Sequence, residues 1–180
     1  MVTNDKPTGR FLTEKGKAEF EAAYEAAMKF LPPPLETKDI ETAFGRVRIY
    51  RFTKEEHKGK EPLLLLPGRS SSTPMWEPNL PGLMKERPSG MANYKISLPT
   101  PDLMSAEDLK NIHIPVLALM AEKSTMHNSQ RAVQKGKTHV PNIQIENWPG
   151  ASHAMNGEFP EEVNARILAF VDQHSDNELI

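Results

Sequence analysis

EPLLLLPGRSSSTPMW, residues 61–76, carries four consecutive leucines that run straight into Pro67-Gly68-Arg69, a serine/threonine cluster and Pro74-Met75-Trp76. A short apolar run bounded by proline and glycine reads as a strand buried on both faces, as in a parallel sheet. Residues 67–76 then read as a sharp turn into a helix, with Thr73 at the N-cap and Pro74 in the first helical position. Strand, glycine turn and helix start is the place where α/β folds present backbone amides to a ligand. The same residues also fit an ordinary strand–turn–helix corner with no chemistry.

Upstream, residues 12–31 have a helical pattern, with Phe20, Tyr24, Ala27, Met28 and Leu31 at three- and four-residue steps and Pro32-Pro33-Pro34 as the stop. Residues 35–52 read as an antiparallel hairpin turning at Ala43-Phe44-Gly45-Arg46, where Val47 and Ile49 alternate with Arg48 and Tyr50. Downstream of Trp76 a short helix is interrupted by Pro78 and Pro81 and ends near Lys85, and Arg87-Pro88-Ser89-Gly90 is a linker-like break. Residues 91–98 carry no clear pattern. Ser105 opens a capped turn of helix, residues 112–120 are a second buried strand, and residues 129–136 a helix with Gly136 as its C-cap. Residues 140–148 form a third strand with Ile143 and Ile145 alternating, and Pro160 opens a final helix with an apolar stripe of Val163, Ile167, Phe170 and Val171. Strands alternating with helices after a hairpin give an α/β class with a mostly parallel sheet. The expected organisation is an N-terminal helical segment, residues 1–34, followed by one α/β domain, residues 35–180.

The 180 residues are enough for one domain with a real core. Charge is nearly balanced, with 22 basic and 24 acidic residues, so composition carries no footprint for nucleic acid or an anionic membrane. Cysteine is absent, which removes disulfides, thiolate metal sites and a cysteine nucleophile. No apolar run approaches the ~20 residues that span a bilayer. MVTNDKPTGR at the N-terminus lacks the apolar core of a signal peptide, so a cytoplasmic location is expected. His57, His127 and His139 show no metal spacing, His113 inside an apolar strand reads as a packed or strand-end residue, and no phosphate loop or dinucleotide fingerprint occurs, so neither metal nor cofactor is implied.

The hairpin, the LLLLPGRSSSTPMW run and the C-terminal third together resemble the α/β-hydrolase superfamily, esterase-like serine hydrolases in particular. Pro149-Gly150-Ala151-Ser152-His153 is similar to the turn that carries that family's catalytic histidine, and the Pro-Glu-Glu-Val-Asn helix start comes after it. The likeness covers roughly residues 38–87 and 104–173. It implies that His153 is the general base, that Gly68 and Arg69 are the backbone donors of the oxyanion hole, and that the substrate is a carboxylic ester or a related small acyl compound. An imidazole with a pKa near ~6.5 suits proton shuttling at neutral pH. Preorganised oxyanion donors contribute about 3–4 kcal/mol each.

The family's nucleophile sits in a G-x-S-x-G elbow, and no such pentapeptide exists in this sequence. The elbow, its flanking strands and the lid would fall between the two matched blocks and take on the order of 100 residues. The resemblance therefore implies a shortened member rejoined near residues 87–91, with the nucleophile unknown. The pattern wants an aspartate near Ser124, and Glu122 is the nearby carboxylate that could orient the base. Ser70, Ser71 and Ser72 serve better as turn and cap residues than as nucleophiles, which need a base within reach. Removal of the sheet centre either brings the leucine strand beside the strand at 112–120 or leaves open edges, through which the chain would pair with itself. The sequence is compatible with two functions. One is ester hydrolysis, at low or no activity. The alternative is a non-catalytic, hydrolase-like binding or interaction module.

Overall fold

Thr13, extended at φ −142°, accepts a hydrogen bond from the Gly16 N–H at 3.0 Å and so caps α1 (Glu14–Met28), which stops ahead of the three prolines. The computed structural model describes residues 11–42, 45–57, 60–68, 71–86, 89–93 and 104–175. They fall into two compact units, Met1–Thr100 and Pro101–Ile180.

In the first unit β1 (Glu36–Thr42) pairs antiparallel with β2 (Gly45–Phe52) in a register from Glu36 opposite Arg51 to Thr42 opposite Gly45. Two residues lie between the paired ends, the length of a tight hairpin. Asp39 faces Arg48 across the ladder and accepts from its Nε at 2.6 Å and its Nη2 at 2.8 Å. The hydrogen bonds from Arg48 hold the Asp39 carboxyl below its usual pKa range. Every residue of β1 is exposed, and its alternating charges suit a solvated sheet edge. On β2 the pattern turns inward, with Tyr50 and Phe52 buried. The Tyr24 hydroxyl donates to that of Tyr50 at 3.3 Å, which ties α1 to the hairpin. Burial, then the Tyr50 hydrogen bond, pushes the Tyr24 phenol pKa well up.

β3 (Leu63–Leu65) and β4 (Ser89–Asn93) complete a sheet in the order β1-β2-β4-β3, with β3 and β4 parallel and β4 antiparallel to β2. β4 occupies part of the stretch the sequence pattern left unassigned. Ser, Gly, Met, Ala and Asn are mostly weak strand formers, and this strand exists because it lies between β2 and β3. The leucine strand is buried on one face only: Leu65 is 7% exposed, but Leu64 is 63% and Leu66 52% exposed. Successive side chains point to opposite faces of the sheet, and here the face carrying Leu65 is covered while the face carrying Leu64 is not. Thr73 is fully buried inside a 3₁₀ turn, Thr73–Trp76, so the cap position falls to Ser72 instead. Leu80 and Leu83 of α2 (Leu80–Glu86) are fully buried with Phe52, and these make the centre of this unit's core.

The second unit opens with α3 (Ala106–Lys110), whose Ser105 Oγ accepts from the Asp108 N–H while Asp108 Oδ2 accepts from the Ser105 N–H, a complete capping box. β5 (Val116–Ala121) pairs parallel with β6 (Ile143–Trp148), and α4 (Ser129–His139) crosses between them. Gly136 is an interior residue of α4 and not its C-cap, which is Val140. A Cβ at Gly136 would lie 3.0 Å from Ile145 Cδ1 and 3.2 Å from Ile143 Cδ1, so this glycine lets the helix sit close on the strand. The opposite face of β6 meets α6 (Pro160–Ser175): Arg166 pairs with Glu146, and Gln144 Nε2 donates to Gln173 Oε1 at 3.0 Å. The alternation along β6 thus divides its side chains between two helices. β5 and β6 form a sheet of their own; the leucine strand pairs with β4 and not with β5.

Candidate functional site

Parallel strands deliver the loops at their C-terminal ends to the same place. Here the loop after β5 and the loop after β6 are joined by their backbones. Glu122 N–H donates to Trp148 O at 3.2 Å and Lys123 N–H to Ala151 O at 2.9 Å. Gly150 turns the chain at φ 78°, a left-handed conformation that glycine adopts without strain, and Ala151 is fully buried beneath the turn. Ser152 N–H then donates to Glu158 Oε2 at 2.8 Å, and Ala154 N–H to Ser152 Oγ at 3.1 Å, before the short helix α5 (Met155–Glu158) begins. The hydrogen bonds from Ser152 hold the Glu158 carboxyl below its usual pKa range. His153 is therefore fixed at its backbone on both sides while its ring is exposed.

His153 Nδ1 lies 3.1 Å from Ser124 Oγ. Ser124 is 8% exposed, and the same oxygen lies 3.2 Å from His127 Nδ1 and accepts from the Met126 N–H at 3.2 Å. The two imidazoles stand edge to face with centroids 6.2 Å apart. One hydroxyl thus joins two rings, and His127 Nε2 is buried with no hydrogen-bond partner among the described residues. Glu122, the carboxylate expected beside the base, accepts instead from the Gly150 N–H at 3.0 Å through Oε2 and secures the turn. The group on Nδ1 is Ser124, near which the resemblance led one to expect an aspartate. His127 had no sequence signal; a histidine three residues beyond Ser124 becomes visible only once the loop folds back on itself.

In the first unit the Gly68 N–H donates to Met75 Sδ at 3.2 Å, and Gly68 O accepts from the Ser71 N–H at 3.0 Å. A thioether is a weak acceptor. Arg69 lies outside the described residues. Trp76 Nε1 donates to Leu66 O at 3.2 Å and braces the turn from the other side. His57 is buried, and its Nε2 donates to the Lys85 carbonyl at 3.0 Å, which pins the Glu55–His57 turn to the end of α2. Among the described residues no group of three or more His, Asp or Glu side chains could hold a metal ion. No helix of the described residues is long and apolar enough to cross a membrane.

No family model matches the chain. The chain is 37% identical over 71 residues to carboxylesterase YbfK of Bacillus subtilis, covering 39% of this chain and 24% of that protein. It is 29% identical over 70 residues to the uncharacterized carboxylesterase nap of the same organism, covering 39% and 23%. The matches thus span about a quarter of the length of these curated relatives. Among solved structures, carboxylesterase CesB (YbfK) from Bacillus subtilis superposes with a TM-score of 0.77 at 16% identity, covering 87% of this chain and 98% of that one. Naproxen esterase from Bacillus subtilis superposes with a TM-score of 0.78 at 14% identity, covering 89% and 99%. At such identities the structural likeness shows the fold, which is of the α/β-hydrolase type, while the sequence matches are confined to 39% of the chain.

Proposed function

We propose that the chain is a shortened carboxylic-ester hydrolase of the α/β type, whose own activity on small acyl esters is low or absent. The observation that carries this reading is the contact between His153 Nδ1 and the Ser124 hydroxyl at 3.1 Å. In a serine hydrolase a carboxylate at that nitrogen accepts the Nδ1 proton, leaves Nε2 bare to take the proton of the nucleophile, and stabilises the imidazolium that forms. A hydroxyl is neutral and can donate as readily as accept, so it performs neither task reliably. The absence of a G-x-S-x-G segment removes the usual nucleophile as well.

Shortening from within is supported by the two kinds of match, and the sequence pattern puts the junction near residues 87–91. The 71 matched residues are 24% of YbfK, so that relative has roughly 300 residues, about 120 more than this chain. Its solved structure is nonetheless matched across 98% of its length. On this reading residues 1–34 are an added helical segment, residues 35–180 are the shortened domain, and Gly68 and Arg69 are the retained oxyanion loop. The Gly68 N–H is held by a weak sulfur acceptor that an oxyanion would displace. The exposed leucines of the edge strand β3 would take a second copy of this chain as partner.

Hydrolysis of a short-chain nitrophenyl ester, measured beside His153→Ala, tests the reading. The expected result is equal rates within a few-fold of buffer. A wild-type rate far above buffer that His153→Ala abolishes would overturn the low-activity part and require a nucleophile other than the family's.

A further inference from the structure

We propose that His127 is a positioning residue that acts through the Ser124 hydroxyl to hold His153 in the tautomer carrying its proton on Nε2. Three side chains share a fixed number of protons at this point. Ser124 Oγ has one hydrogen to donate and two lone pairs to fill. The Met126 N–H takes one lone pair. The remaining lone pair and the hydroxyl hydrogen face the two Nδ1 atoms at 3.1 and 3.2 Å. The rings must therefore be complementary: one carries Nδ1–H and donates to the oxygen, and the other has a bare Nδ1 and accepts from it.

Ser124 is equally satisfied either way, so the choice falls to the far nitrogens. The exposed His153 ring can give its Nε2 to water in either protonation state. His127 Nε2 is buried without a partner among the described residues. An N–H stranded there is the less tolerated option, since orphaned buried donors are rarer than under-satisfied acceptors. His127 therefore keeps Nε2 bare and carries its proton on Nδ1, donating to Ser124. Ser124 in turn donates to His153 Nδ1, and the His153 proton resides on Nε2. That is the tautomer in which the nitrogen able to face a substrate has no lone pair to accept a proton. The inference concerns ring protonation alone and stands whether or not the chain hydrolyses an ester.

The test is a long-range ¹H–¹⁵N correlation spectrum of the full chain labelled with ¹⁵N-histidine, recorded near pH 8, above the ordinary histidine range of ~6.5. The expected pattern is a protonated Nε2 on His153 and a protonated Nδ1 on His127. In His127→Phe the His153 signals should move toward a mixture of the two tautomers. In Ser124→Asp, where the neighbour only accepts, they should move to protonated Nδ1. A protonated Nδ1 on His153 in the wild-type chain would overturn the proposal, and so would His127→Phe leaving the His153 pattern unchanged. The wild-type spectrum decides the tautomer even if neither variant folds.

Discussion

Removing the Ser124 hydroxyl should destabilise the C-terminal unit by an amount that its own geometry sets. Ser124→Ala deletes one oxygen bound by three groups at 3.1, 3.2 and 3.2 Å. Two of the three can turn to water, because His153 is exposed and Met126 is 73% exposed. The third cannot. His127 has a buried Nε2, and with Ser124 gone either tautomer leaves one ring nitrogen's proton or the other without an acceptor. A stranded buried donor costs about 1–3 kcal/mol, and at about 2 kcal/mol the unit opens roughly 30-fold more often. Amide hydrogen exchange in β5 and β6 reads this unit without interference from the other. The amides protected only by full opening of the unit should exchange about 30-fold faster in Ser124→Ala. In a His127→Phe background, where no ring N–H remains to strand, the same substitution should cost less than half as much. Exchange accelerated less than two-fold, or two substitutions whose effects simply add, would refute the reasoning.

Other contacts set three further outcomes. Gly136→Ala should lose about 1 kcal/mol: the helix propensity gain of ~1 kcal/mol is outweighed by forcing a methyl between two Ile Cδ1 atoms, and Ile145→Val, which removes the nearer one, should turn the loss into a gain in a thermal melt. Burial pushes the Glu146 carboxyl up, but the Trp148 indole N–H and the Arg166 guanidinium outweigh it and hold the pKa below the ordinary 4.5. Its contribution is therefore present above pH 4.5 and is lost as pH falls through the folded value, so urea unfolding of wild type and Arg166→Ala should differ at neutral pH and converge in acid. If β3 takes a second copy as proposed, Leu64→Lys on its exposed face should move the gel-filtration peak later at the same loading.

The elements that could be read from the sequence are those with a local cause. α1 has its Thr13 cap and its proline stop, the hairpin has its alternation, and α6 has Pro160 and two glutamates at its start. What escaped depends on neighbours far along the chain. β4 is a strand by virtue of the two strands beside it. Gly136 carries the usual mark of a helix end, but it serves the closeness of α4 to Ile143 and Ile145, residues that lie a loop beyond it. Leu64 looks as apolar as Leu65, and only the face of β3 to which each side chain points separates their burial. At the candidate site the His153 turn was recognised by the likeness of Pro149-Gly150-Ala151-Ser152-His153 to a family motif, and its glycine stands at positive φ. The companion of its Nδ1 was not, because Glu122 and Ser124 lie two residues apart in one loop, and the path of that loop decides which of them faces the ring.

The chemistry of the site rests on a difference between two oxygen groups. A carboxylate accepts and never donates when ionised, so beside an imidazole it can have only one meaning: the proton is on Nδ1 and the base is ready. A hydroxyl takes its instruction from whatever else binds it, and here the other binder is a second imidazole whose far nitrogen is dry. Ser124→Asp would remove that dependence, turning both Nδ1 protons toward one acceptor. It should give the base tautomer of His153 without a gain in ester turnover if, as proposed, the chain without a G-x-S-x-G serine has little activity of its own. Tautomer and rate would then separate within a single variant. A Ser124→Asp chain that regained ester turnover would instead place an attacking group within reach of His153 Nε2, which the missing elbow argues against.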